Sequence, residues 1–75
     1  MNKARRERIR RIFDALTQNL NDLNAIHDEE EEYHDNIPEN LLGSERAEAS
    51  ESAAESLSNA ADSIQEALDY IEGII

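Results

Sequence analysis

In the second half of the chain, small and apolar residues alternate steps of three and four: Ala47, Ser50, Ala54, Leu57, Ala61, Ile64, Leu68, Ile71 and Ile75. A helix of 3.6 residues per turn brings such positions into one line, whereas the period of two in a strand scatters them over both faces. A second row, Ala53, Ala60, Ala67 and Ile74, runs beside the first at seven-residue intervals. In heptad terms, positions a, d and e are apolar, with Ala concentrated at d and e. Glu48, Glu55, Asp62 and Asp69, again seven apart, hold a solvent position. The first half repeats the signal in Ile9, Ile12, Phe13, Leu16, Leu20, Leu23, Ile26 and His27, with Asn19 where an apolar residue is expected. Two amphipathic helices follow from this.

The break between them is YHDNIPENLLGSER, residues 33–46, which holds the only proline. Pro38 pushes Ile37 toward extended geometry and ends the first helix before it. Gly43 is read as a break, and Ser44 as the N-cap of the second helix. The expectation is a single domain, 1–75, with a helix over about 3–34, a connector over about 35–43 and a helix over about 44–73. Residues 38–42 suit one short helical turn, with Leu41 and Leu42 covering the open end. Helices of about 30 residues span ~45 Å each, and equal lengths with a short connector imply an antiparallel helical hairpin. A pairing in which residue numbers sum to about 77 places Phe13 near Ile64, Leu16 near Ala61 and Leu23 near Ala54. The expected core is Leu16, Leu20 and Leu23 against Leu57, Ala61, Ile64, Leu68 and Ile71.

Three apolar positions per heptad make a stripe wider than one two-helix seam consumes. Leu, Ile and Phe together supply only 16 of 75 residues, so the hairpin alone has a thin core. A second copy completing a four-helix bundle is the economical cover; a different protein on that face, or a marginal monomer, are the alternatives. Asn19 reads either as a register-fixing polar residue in the seam or as a water-exposed defect. Size excludes a large enzyme fold or a nucleotide-binding sheet domain. The absence of Cys removes disulfides and thiolate chemistry. No apolar run reaches the ~18 residues of a membrane span, and the basic leading segment lacks the apolar stretch of a signal peptide, so a cytoplasmic location is expected.

Charge is unevenly placed. Residues 1–11 carry six cations and one anion, and residues 12–75 carry Arg46 as the only cation against 17 carboxylates. The net charge of −11 argues against a general nucleic-acid binder and favours a partner with a positive surface, if it does more than keep the chain soluble. In the hairpin, Arg5, Arg8 and Arg11 lie at the end that carries Glu66, Asp69 and Glu72, and charge compensation, within one chain or between two copies, is the plain reading of the basic segment. Its arginine-rich composition also suits an RNA-binding arm, but no aromatic residue interleaves with it.

Metal ligands cluster only in HDEEEEYHD, residues 27–35. Glu31-x-x-His34 has the spacing used by ferritin-like di-iron bundles, with His27 one turn before Glu31. Such sites need further inward carboxylates, which the second helix keeps on its solvent face, so no metal or other cofactor is expected. No serine lies in a strand-turn-helix elbow, and two helices offer no concave pocket to separate carboxylate pKa values. The chain reads as a non-enzyme. Rows of carboxylates on a rod can instead imitate a phosphate backbone and fill a nucleic-acid-binding groove.

The segment EEEEYHDNIPENLLGSERAEASESAAESL resembles small uncharacterised proteins of phages and mobile elements of Gram-positive bacteria. The shared features are a charged first helix, a Tyr-x-Asp-Asn-hydrophobic-Pro-Glu-x-Leu connector, then Ser-Glu-Arg and an Ala/Glu-rich helix. Here they are Tyr33, Asp35, Asn36, Ile37, Pro38, Glu39, Leu41, Ser44, Glu45 and Arg46. Tiny acidic helical phage proteins are similar to inhibitors of host defence, including anti-CRISPR proteins and DNA mimics. The resemblance implies an inhibitor that blocks a basic surface of a host protein, such as a defence nuclease, through Glu48, Glu51, Glu55, Asp62 and Asp69 and the connector residues Tyr33, Asp35, Asn36 and Arg46. A self-associating coiled-coil adaptor and, more weakly, a metal-binding bundle are the competing readings.

Overall fold

In a computed structural model that describes residues 1–75, the chain is an all-α helical hairpin. Helix α1 spans Lys3–Asp35, a single 3₁₀ turn spans Glu39–Leu41, and helix α2 spans Glu45–Glu72. The two long helices pack along one another into a rod of 59 × 14 × 13 Å. No helix is long and apolar enough to cross a membrane.

Local chemistry sets the helix ends. Asn2 caps α1 by accepting the Arg5 N–H at 2.8 Å. Pro38 sits at ψ 142°, outside the helical region, after Asn36 and Ile37 have donated their N–H groups back into the last turn of α1. Ser44 then takes extended dihedrals and its Oγ accepts the Ala47 N–H at 3.3 Å, opening α2. Gly43 contributes less than expected. Its φ is not positive and a Cβ there would meet open space, so Pro38 and Ser44 make the break.

Burial follows the three-four alternation. Leu20, Ala61 and Leu68 form the buried cluster, with Phe13, Leu16, Leu23 and Ile64 packed against it. Leu57 and Ile71 extend the line as half-buried residues. On α1 the same steps continue through His27, Glu30 and His34, all half-buried. Asn19 is exposed, because the step of four from Leu16 hands its place to Leu20. In the second row Ala53, Ala60 and Ile74 are exposed and Ala67 is half-buried, so the fully buried residues of α2 all lie on the first row, which is the seam. Leu41 and Leu42 also stay about half exposed, and Ile37 tucks into the connector end instead. At that end Arg46 lies over the Tyr33 ring, 5.7 Å from its centroid, which sets opposing residue numbers near 79.

Two serines bracket the energetics of α2. Ser44 donates nothing to the core but caps a helix, while Ser50, 3% exposed, buries a hydroxyl that has no hydrogen-bond partner. Losing an N-cap costs about 1 kcal/mol, and an unpaired buried hydroxyl costs about 1–3 kcal/mol. Ser44→Ala is therefore expected to lower the melting temperature by about 4–8 °C, and Ser50→Ala to raise it by a similar amount. Calorimetric melts of both variants check this, and shifts of the same sign would contradict it.

Candidate functional site

Because α2 turns its seam toward α1, its remaining rows divide between two flanks. Glu48, Glu55, Asp62 and Asp69 are all exposed and stand ~10.5 Å apart along the helix. Next to them, on the same flank, run Glu51, Ser58, Gln65 and Glu72, opposed across the seam by Arg10, Thr17, Asn24 and Glu31 of α1. This flank holds no large apolar side chain. Gln65 donates to Asp69 at 3.0 Å, an uncharged contact that leaves the carboxylate its charge.

The opposite flank is different in kind. It carries Arg5, Ile12, Asn19, Ile26 and Tyr33 of α1, seven residues apart, beside Arg46, Ala53, Ala60 and Ala67 of α2, with Ile74 just beyond. The Tyr33–Arg46 stack shows that these two rows adjoin. None of these positions is acidic, although 18 of 75 residues are. Arg46, the only cation after residue 11, is held on the aromatic ring rather than on a carboxylate.

Within one chain, the expected charge compensation is not made. Arg5, Arg8 and Arg11 make no ion pair with Glu66, Asp69 or Glu72; the only basic side chains with a nitrogen within 4.0 Å of a carboxylate are His27 and His34. Arg5 and Arg8 lie toward the apolar flank, whereas Asp69 and Glu72 lie toward the acidic one. Arg10 shares the acidic flank, but none of the four carboxylates of the row has a Lys or Arg nitrogen within 4.0 Å.

The connector forms a cleft of about 250 Å³ lined by Tyr33, Asn36, Ile37, Pro38, Leu41, Ser44 and Arg46. Asn36 is engaged structurally, its backbone N–H donating to the Glu32 carbonyl while the next N–H, of Ile37, donates to the His34 carbonyl. Asp35 is exposed and approaches the His34 Nδ1 at 3.9 Å.

The metal-ligand candidates do not assemble as their spacing suggested. His27 approaches Asp28 at 3.2 Å and Glu31 at 3.8 Å, and these three groups could share one ion. His34 stays with Asp35, a seven-residue rise of ~10.5 Å from His27, too far to ligate the same ion. No carboxylate of α2 joins, and Asp28 and Glu31 are exposed. What the spacing of His27, Glu30 and His34 does mark is the end of the hairpin seam, a role their three-four steps could have revealed. Comparison with protein-family models, with curated proteins and with solved structures finds no match for this chain.

Proposed function

We propose that this protein is a non-enzymatic binding protein whose acidic flank occupies a basic, nucleic-acid-binding surface on a partner protein. The observation that supports this is the exposed row Glu48, Glu55, Asp62 and Asp69, with no Lys or Arg nitrogen within 4.0 Å of any carboxylate. Uncompensated like charges on a rigid rod repel one another and steer the protein toward a surface of opposite sign. The Cα trace is 59 Å long and 13–14 Å across, and with side chains two helices abreast make a slender rod about 20 Å wide that can lie along an extended groove. The connector's likeness to small phage proteins extends the reading to a phage-type inhibitor acting in the host cytoplasm on a defence nuclease. Tyr33, Asp35, Asn36 and Arg46 would then add shape to a contact driven by charge.

Capture from a nuclease-treated lysate of a Gram-positive bacterium tests this. Proteins retained on the immobilised chain are expected to be nucleic-acid-binding proteins that elute with moderate salt and are displaced by duplex DNA. Retained proteins that resist both salt and DNA would count against the reading. A structural adaptor role is favoured by a separate feature, the apolar flank.

A further inference from the structure

We propose that the apolar flank is the interface of a homodimer in which two hairpins lie antiparallel, α1 against α1, with Asn19 of each copy meeting on the two-fold axis. The flank is apolar and open in the single chain: Ile12 is 58% exposed, Ile26 50% and Ile74 49%. Each is wasted on water at this exposure, while the opposite flank has no comparable group to bury. The chain exposes 5720 Å² as an elongated rod of two helices, so a flank running its length has room for the ~800 Å² that each partner contributes to a stable interface.

Charge selects the arrangement. Two-fold symmetry allows the connectors at the same end or at opposite ends. With connectors together, the six cations of residues 1–11 in both copies would crowd one end, and the six carboxylates of residues 28–35 the other. With connectors at opposite ends, each basic segment lies over the acidic run of the other copy. Like-charge juxtaposition is penalised and complementary juxtaposition favoured, so the second arrangement wins. Facing residue numbers on α1 then sum to 38: Ile12 packs on Ile26 of the second copy, Arg8 faces its Glu29–Glu30 pair, and Asn19 faces Asn19. An amide both donates and accepts, so two copies of Asn19 satisfy one another across the axis. A lone polar pair in an apolar interface fixes orientation, which gives Asn19 a use that the hairpin seam does not. The interface leaves the acidic flank outward and does not depend on the proposed function.

Sedimentation of the wild-type chain is expected to give twice 8.5 kDa. Ile26→Asp should halve that mass with helicity retained, because Ile26 lies outside the hairpin seam. The chain has no cysteine, so Asn19→Cys offers a clean crosslink. A disulfide requires Cα atoms within about 7 Å, and mild oxidation should join Asn19→Cys into a covalent dimer while Ser58→Cys on the acidic flank stays single. A wild-type mass of 8.5 kDa at all concentrations overturns the proposal and leaves the flank to another protein. So does a dimer that crosslinks through Ser58→Cys and not Asn19→Cys, or one that survives Ile26→Asp.

Discussion

Leu68→Asp is expected to abolish the cooperative melt of this protein and most of its helical circular dichroism at room temperature. Leu68 is 4% exposed and forms the buried cluster with Leu20 and Ala61. Removing a buried leucine side chain costs about 2–5 kcal/mol even when Ala replaces it. An ionised carboxylate in its place adds a desolvation cost of several kcal/mol, with no cation in the cluster to answer it. A single thin core of this size rarely supplies more than about 3–5 kcal/mol, so the sum exceeds what the hairpin has. Asp62→Ala is the matched control, less than two helical turns away on the exposed row, and should change stability by no more than ~0.5 kcal/mol. Equal melting temperatures for Leu68→Asp and Asp62→Ala would show that the seam has been misplaced.

That prediction rests on the part of the fold that the sequence makes legible. The three-four alternation through Leu57, Ala61, Ile64 and Leu68 names the seam because a helix has no other way to line those positions up. The ambiguity lay in alanine. Ala53, Ala60 and Ala67 form a row as regular as the seam, and alanine is small enough to be buried or exposed at little cost. Only the packing of α1 decides between the two rows, and it leaves Ala53 and Ala60 in water. Asn19 was ambiguous for the same reason: a polar residue beside Leu20 can be inside the stripe or one position off it. The Tyr33–Arg46 stack was not legible at all, since it joins residues on two helices through a register that only the folded connector sets.

The candidate site divides in the same way. Periodicity alone puts Glu48, Glu55, Asp62 and Asp69 on solvent. It does not show that the arginines of residues 1–11 make no ion pair with the carboxylates at the same end of the rod, because that depends on the flank each row occupies and, for Arg10 on the acidic flank, on reach across the seam. A dimer through the apolar flank bears on this surface too. Two chains carry twice the −11 charge over 59 Å, about one net charge per 2.7 Å, between the 3.4 Å of a single strand and the 1.7 Å of duplex DNA. A single chain, at about one per 5 Å, is a poorer imitation of either.

Replacing Glu48, Glu55, Asp62 and Asp69 together, with Gln for Glu and Asn for Asp, is expected to weaken capture of the partner by at least an order of magnitude while leaving the helical fold in place. Each substitution keeps side-chain size and removes one charge, so the variant carries −7 in place of the −11 of the natural chain. All four positions are exposed, none belongs to the seam cluster, and none takes part in an ion pair that the change would break. An exposed carboxylate facing one cation is worth about 0–1 kcal/mol, so any one substitution should do little. Four such contacts along ~31.5 Å of helix act together on steering and on the complementarity of one groove, and their losses accumulate. The measurement is affinity for the captured partner at low and moderate salt, for wild type, the four single variants and the quadruple variant. Wild-type binding should fall as salt rises, because exposed charges are screened over ~10 Å at 0.1 M. The quadruple variant should bind weakly at both salts and show a flatter salt response. If it binds as tightly as wild type, the acidic flank is a solvated face and nothing more. Recognition would then have to reside in the cleft between Tyr33 and Arg46, whose cation–aromatic stack and proline turn give the connector a shape of its own.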